Sequence, residues 1–430
     1  MSQGIYISVP FCRSKCSFCN FASGVFSRAV FDRYVEQLCS EIAGAREIAR
    51  ELGGVLEDTI DSIYLGGGTP SVLEPDQLAR IFSAVRESFE VERSAEITVE
   101  CAPGTIGNEI LQALLRCGVN RVSLGAQSFV DQECSSVGRL HTRAITLDDI
   151  ARLRASGIGN ISIDLIAGLP HQTAESWSFS LDETLASGVP HVSVYMLEVD
   201  EDSRLGNELL AGGSRYHAHF VPDDDLTADL YLAACERLEH GGVRLYEISN
   251  FARAVTHGIG LWDSRHNLKY WTRQPYIGFG VDAHSMLKAA AGIEGEAVRF
   301  ATPDSLEGYT QRQQLSGAGC QMSVNARIAQ LQSARTLVDK QAALEESFFL
   351  GLRLNRGLSL GELRRRFGTD ATESYGPTIA ELLDTGLLET SGDCVRLTAR
   401  GRLLSNEVFA RFLREPCAAS EGDPTQTYDR

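Results

Sequence analysis

Cys12-Arg13-Ser14-Lys15-Cys16-Ser17-Phe18-Cys19 sets three thiols within eight residues, just after a short apolar run. Thiolates are the preferred ligands of zinc and of iron–sulfur clusters, so the stretch reads as a loop around a soft metal centre. A structural zinc is normally closed by four protein ligands, and no second Cys pair lies nearby. Three ligands on a cubane cluster instead leave one iron open to a small molecule. Chance is a weak rival: with 11 Cys in 430 residues, random placement gives this pattern in roughly one such chain in a hundred.

Length allows two or three domains and a large core. The 23% charged and 43% apolar residues are ordinary for a globular protein. A net charge of −17 argues against a nucleic-acid partner, which would select a basic face. No run of roughly 18 apolar residues appears, and the first strand begins without a signal-peptide pattern. An odd number of Cys, with a reactive loop among them, fits a reducing, cytoplasmic setting. Cys39, Cys101, Cys117, Cys134, Cys235, Cys320, Cys394 and Cys417 read as small buried residues.

From residue 3 to about 200, apolar runs alternate with amphipathic helical stretches. The expected strands are 4–9, 62–65, 96–100, 121–124, 161–165 and 191–197, whose Val, Ile and Leu content suits buried parallel strands. The expected helices are 31–50, 75–89, 107–117, 147–155 and 175–186, with Gly118, Gly157 and Gly188 as C-terminal caps. Alternating βα units predict an α/β fold whose parallel sheet closes fully or partly into a barrel. Beyond residue 197 the rhythm breaks: 198–226 reads as a long acidic loop, followed by a helix at 226–240, a strand at 244–248 and an aromatic-rich stretch at 251–279. A last unit shows helices near 343–354, 360–367 and 377–384. A hairpin, 387–390 and 394–397, then turns at Ser391-Gly392-Asp393, and Thr398 caps a final helix. The domains are thus 1–200, the barrel with the thiol loop; 201–341, an extension with the aromatic-rich region; 342–415, a winged-helix-like α+β unit; and 416–430, a disordered tail.

Polar residues recur where the strands end. Gly66-Gly67-Gly68-Thr69-Pro70 follows the second strand, and consecutive glycines let a backbone approach a ligand and expose its amides. A tight turn alone explains three glycines equally well. Glu100 ends the third strand, Gln127 follows the fourth and Asp164 interrupts the apolar fifth. In barrels of this type, ligand-binding groups sit at the carboxyl ends of strands, although any one of these could be a cap or an ion-pair partner. His266-Asn267-Leu268-Lys269-Tyr270-Trp271 puts a His and a Tyr four residues apart, on one face of a helix. Imidazole is a standard axial ligand of heme iron, and a buried His–aromatic cluster is the plainer alternative. His217 and His219, in the acidic loop, stay open between heme ligands and surface residues.

CxxxCxxC with Phe18 before the last Cys resembles the signature of radical S-adenosylmethionine (SAM) enzymes. In that superfamily the three Cys hold a 4Fe–4S cluster and SAM chelates the open iron. An electron from the cluster then cleaves SAM to methionine and a 5′-deoxyadenosyl radical. Tyr6-Ile7-Ser8-Val9-Pro10-Phe11-Cys12 is similar to the YxHIPFC of one branch, the oxygen-independent coproporphyrinogen III oxidases and their relatives, the heme chaperones called HemW. Further strings agree: residues 66–70 with GGGTP, 98–103 with E-x-x-P, 125–129 with GVQSF, 138–141 with GRxH, 164–170 with DLmxGLP and 246–252 with YEISNFA. The resemblance covers nearly the whole chain and is strongest from Tyr6 to His284. It implies a partial (β/α)6 TIM-like barrel, with Cys12, Cys16 and Cys19 on the cluster. It also implies Tyr6, Phe18, Gly67, Gly68, Thr69, Glu100, Gln127, Arg139 and Asp164 at the SAM site.

Two features choose within the branch. The oxidases carry a fourth Cys two residues past the third, where this chain has Phe21, and a longer N-terminal extension, for which 11 residues leave no room. HNxxYW is the motif that sets the heme chaperones apart and is implicated in heme binding there, which implies His266, Tyr270 and Trp271 at heme. Ser8 stands where the family has His, and Asp282 where Gly is usual. The expectation is a cytoplasmic radical-SAM-type heme chaperone that binds a 4Fe–4S cluster, SAM and heme. Implied partners are heme, heme-accepting apoproteins and a flavodoxin- or ferredoxin-type reductant, with peripheral membrane association; the oligomeric state is open. The alternatives are a coproporphyrinogen III oxidase and a metal-binding protein without SAM chemistry.

Overall fold

The computed structural model describes residues 2–253, 262–310 and 323–414. The chain divides into two compact units, Met1–Lys340 and Gln341–Arg430. In the first, six parallel strands follow one another across the sheet in chain order: β1 (Gln3–Val9), β2 (Thr59–Gly67), β3 (Glu90–Cys101), β4 (Arg121–Gln127), β5 (Asn160–Ala167) and β6 (His191–Met196). The longest helices between them are α1 (Arg28–Ala43), α2 (Pro75–Ser88), α3 (Asn108–Arg116), α4 (Arg143–Ala155) and α5 (Ala174–Ser187). This is a partial (β/α)6 barrel. Its two edges do not meet. After β7 (Val243–Glu247), β8 (Asn250–Arg253) pairs antiparallel with β6, and β9 (Tyr276–Phe279) pairs parallel with β1. The sheet then continues antiparallel through β10 (His284–Ala289), β11 (Ala297–Ala301) and β12 (Thr336–Val338). Both barrel edges are therefore covered by strands from the region after residue 200.

Local sequence accounts for these elements. In α2, Leu78, Ile81, Phe82 and Val85 recur at the helical period and are buried. Thr142 caps α4 through Ile145 N–H, and Thr173 and Ser176 form a reciprocal capping box on α5. Gly118, Gly157 and Gly188, just past three helices, have φ of 77°, 97° and 68°, the left-handed geometry that closes a helix most easily at Gly.

The helix expected at 31–50 is broken at Gly44 into α1 and a second helix, Ala45–Glu51. The side chain of Val324 fills the space beside Gly44 that a Cβ would enter. Residues 198–226 are not one loop: Ser203 caps a helix, Arg204–Leu210, because Leu205 is buried and its N–H is bonded to Ser17 O at 2.7 Å.

In the second unit, Leu358–Ser359, Cys394–Leu397 and Leu388–Ser391 form a three-stranded sheet in that order. The helices Leu360–Phe367 and Gly376–Asp384 precede its hairpin, a winged-helix-like arrangement. Ser391 pairs with Cys394, so Gly392 (φ 63°) and Asp393 make the turn. The expected tail at 416–430, Cys320 and Cys417 lie outside the described residues.

Candidate functional site

The thiol loop leaves β1 at the carboxyl end of the barrel and is tied down on every side. Cys12 N–H donates to Gly24 O (2.9 Å), Ser17 N–H to Val137 O (3.1 Å), and the Lys15 ammonium to the carbonyls of Phe21 (2.8 Å) and Ser23 (2.9 Å). Spacings of four and three would also align three thiols on a helix face. Here Cys19 N–H turns back to Cys16 O at 3.4 Å, and the segment is a loop. Phe18 packs on Val137, Ile166 and Leu169. Each thiol has a polar neighbour. The Thr69 hydroxyl donates to Cys12 Sγ (3.7 Å), Arg139 Nη1 donates to Cys16 Sγ (3.5 Å), and Ser23 Oγ lies 4.0 Å from Cys19 Sγ.

Burial pushes the Cys12 thiol up, and Cys19 and Cys16 are close enough to add to the shift. None of the three is in a disulfide. Among the described residues no three His, Cys, Asp or Glu side chains converge as they would on a single metal ion. A cubane makes a different demand, since each thiolate takes a different iron and the sulfurs stay apart. Three free thiols, each facing a hydrogen-bond donor, suit that group.

The glycine loop is moulded onto this one. Gly68 N–H donates to Val9 O and Thr69 N–H to Phe11 O, both at 2.8 Å. A Cβ on Gly68 would stand 2.7 Å from Phe11 O, so only Gly fits. Gly67 has φ 99°, and its N–H donates to the Glu100 carboxylate. Glu100 also accepts from Tyr64 Oη (2.8 Å), and burial pushes its pKa up to about 7 against that bond. Asp164 is raised by burial too. It accepts from Ser123 Oγ at 3.1 Å, from Ser162 Oγ at 3.4 Å and from Ser193.

Gln127, a non-glycine residue, has φ 68°, at an irregular register step of β4. Backbone strain of this kind concentrates at ligand sites. Arg139 donates to Gly125 O, where the missing Cβ of Gly125 makes room for its guanidinium, and its buried Nε has no hydrogen-bond partner among the described residues. His141 pins this segment by its ring nitrogen on Ala126 O at 3.0 Å. Cys12, Cys16, Cys19, Phe18, Gly67, Gly68, Thr69, Glu100, Gln127, Arg139 and Asp164 thus gather at the carboxyl ends of β1 to β5.

The HNxxYW segment is elsewhere. It forms the helix α6 (Arg265–Trp271), capped by Ser264, against the N-terminal halves of β1, β2 and β3. His266 is 1% exposed, with Nδ1 3.1 Å from Ser62 Oγ and Nε2 2.9 Å from Tyr270 Oη. Burial, then Lys269 and Arg121, push its pKa down to about 3. Lys269 is buried against Asp61 at 2.7 Å. Tyr270 meets Tyr276 edge-on at 4.6 Å and Trp271 at 6.1 Å.

Tyr6, expected beside SAM, lies between the two ends. Its ring stands 6.2 Å from Tyr64 and 6.3 Å from His266. Ser8 is buried behind the loop, its carbonyl accepting from Tyr34 Oη (2.6 Å). Asp282 has φ 55°, which explains why glycine suits that position.

Sequence reasoning missed what joins the ends. Arg121 is 2% exposed inside the barrel; burial works against its charge, and Glu96 leads the groups that hold its pKa above the ordinary value. Ser162 Oγ contacts His191 Nδ1 at 2.7 Å, and His191 Nε2 contacts Tyr246 Oη at 2.9 Å. The signal was present as a period of two: Ser62 and Tyr64, Glu96 and Glu100, Arg121 and Ser123, Ser162 and Asp164, His191 and Ser193. These strands are apolar on one side only.

Comparison with known proteins agrees with this geometry. Residues 6–183 match the radical SAM superfamily and residues 338–404 the HemN C-terminal domain. The chain is 32% identical over 408 residues to a Lactococcus lactis protein named heme chaperone HemW, covering 95% of this chain and 96% of that one. A Synechocystis protein of the same name is 34% identical over 96% of this chain and 92% of its own. The solved coproporphyrinogen III oxidase HemN of Escherichia coli, described as a radical SAM enzyme, superposes with a TM-score of 0.77 over 96% of this chain and 90% of that one. At 22% identity, that match speaks for the fold alone. The chain belongs to the radical SAM superfamily and, within it, to the HemW family.

Proposed function

We propose that the protein is a cytoplasmic heme chaperone that binds a 4Fe–4S cluster, SAM and heme, and passes heme to acceptor apoproteins. The observation that carries the reading is the gathering of three donor-flanked thiols, a glycine loop and the polar ends of β1 to β5 at one end of the barrel. Relatives named heme chaperone over nearly their whole length support the heme half. A cluster on Cys12, Cys16 and Cys19 would supply an open iron and a low-potential electron. The chain's own groups do the rest. Gly67 and Gly68 bring their loop flush against β1 and the thiol loop, where a Cβ would meet Ser8 or Phe11, and so hold the Thr69 backbone beside Cys12. Glu100 and Asp164 accept from ribose-type hydroxyls, and Arg139 sets a cation beside Cys16 for a ligand carboxylate. The reductant we propose is flavodoxin- or ferredoxin-type, and any membrane contact would be peripheral.

Phe21, at the place of the oxidases' fourth Cys, is 61% exposed beside Cys19 and offers no ligand there. Anaerobically reconstituted protein given SAM, reductant and coproporphyrinogen III should therefore form no protoporphyrinogen IX, while the same preparation binds heme. Product at many turnovers would replace this reading with the oxidase. Heme binding with no affinity for SAM would leave a metal-binding protein without SAM chemistry.

A further inference from the structure

A heme carrier needs an imidazole that iron can reach and an apolar face for the macrocycle, and His266 offers neither in this structure. Both its nitrogens are engaged, and reaching it means separating α6 from the barrel along with the Lys269–Asp61 pair. The rim at the opposite end differs. His171 follows β5, while His217, His219 and Phe220 lie in the short 3₁₀ segment Arg215–Phe220. His171 N–H donates to Phe220 O at 2.9 Å, which holds the two segments together.

Side chains gather above that bond. His171 Nε2 lies 3.0 Å from His217 Nδ1, and the Phe220 ring sits 4.1 Å from His171 and 4.0 Å from His219. Phe220 is 47% exposed and Tyr216 37%, and His217 and His219 are exposed. His171, Tyr216 and His217 have φ of 70°, 54° and 60°, a left-handed geometry uncommon outside glycine. Strain held in three such residues is a mark of functional surface.

The ligand class follows from the donor count. Among the described residues no three His, Cys, Asp or Glu side chains converge as on a bare metal ion. An iron already held by four porphyrin nitrogens needs as few as one protein ligand, and with the facing nitrogens of His171 and His217 bonded to each other an outward nitrogen of the pair can give it. Phe220 and Tyr216, both partly exposed, offer aromatic surface to the macrocycle. Arg215 is exposed at the start of the segment, and the Arg204 guanidinium lies 5.3 Å over the Tyr216 ring, cations suited to the two propionates.

We propose that the His171–His217 pair, with Phe220 beside it, is the ligand site for heme iron on the rim of the barrel. The inference rests on the reading of the chain as a heme carrier. Its test is a heme titration of the full chain, following the Soret band, in wild type, in the double variant His171→Ala with His217→Ala, and in His266→Ala. A second double variant, His171→Gln with His217→Gln, guards against misfolding, and iron content of the reconstituted cluster reports integrity. Both double variants should shift or lose the Soret band and bind heme about tenfold more weakly or worse, while His266→Ala keeps the wild-type band. Wild-type spectrum and affinity in the Gln pair, with the band lost in His266→Ala, would overturn the proposal. Absence of any heme binding by the wild type would overturn the carrier reading itself, and this inference with it.

Discussion

The two ends of the barrel are built from the same residue types and put to opposite use. At the N-terminal end His266 and Lys269 are closed in, each with a protein partner: Ser62 and Tyr270 for the imidazole, Asp61 for the ammonium. At the carboxyl end Arg139 keeps a buried nitrogen without a partner among the described residues, Gln127 is held left-handed, and Glu100 is pushed up to about 7 by burial. A polar group matched within the protein stabilises the fold, and one left short waits for a ligand. The difference between sealed and poised, more than residue identity, is the ground on which we propose function at one end and architecture at the other.

The harshest way to break that comparison is at the thiols. Replacing Cys12, Cys16 and Cys19 together by Ala should remove about four irons per chain and the visible absorption of the anaerobic protein. The melting temperature of the metal-free protein should hardly move, because the loop is fixed by backbone and Lys15 bonds. Iron retained at wild-type content would place the cluster elsewhere.

At the sealed end the expected effect is smaller and of the other kind. His266→Ala strands the Ser62 and Tyr270 hydroxyls in a buried site, at a cost of about 1–3 kcal/mol of stability by denaturant unfolding. His171→Ala with His217→Ala, on the surface, should stay within about 0.5 kcal/mol of wild type. Equal losses in the two would erase the distinction drawn between the ends.

The smallest effect concerns pH. Glu100, raised from 4.5 to about 7, holds its proton more tightly folded than unfolded, so its contribution is lost as pH rises across that interval. His266, lowered from 6.5 to about 3, contributes stability that is lost as pH falls across its own. The two slopes oppose each other where they overlap. The stability of wild type relative to Glu100→Gln should therefore fall from pH 5 to pH 7, and a relative stability independent of pH would mean that Glu100 titrates as an exposed carboxylate.

Much of this was legible before any coordinates. The βα rhythm announces a parallel barrel, because alternating apolar runs and amphipathic helices are short-range patterns; the thiol spacing and the glycine run each fit more than one backbone and point to a metal loop only together with the resemblance. Three things were not legible. The inward polar layer hides in strands whose other side is apolar, so the strands around Arg121 and His191 read as wholly buried. HNxxYW is compatible with an exposed ligand or a sealed plug, and only the packing of α6 on Ser62 and Asp61 decides between them. His171 and His217 stand 46 residues apart in the chain and meet through a left-handed turn that no glycine advertises.

The Lys15 ammonium, bonded to the carbonyls of Phe21 and Ser23, bears on the order of events in assembly. The conformational entropy of the thiol loop is surrendered when the polypeptide folds, through bonds that belong to the protein itself. Loading then selects a shape already populated, and its rate is set by encounter with an iron–sulfur donor and not by loop closure. A Lys15→Ala chain would fold normally yet mature slowly, a defect of timing in which the finished protein looks unchanged.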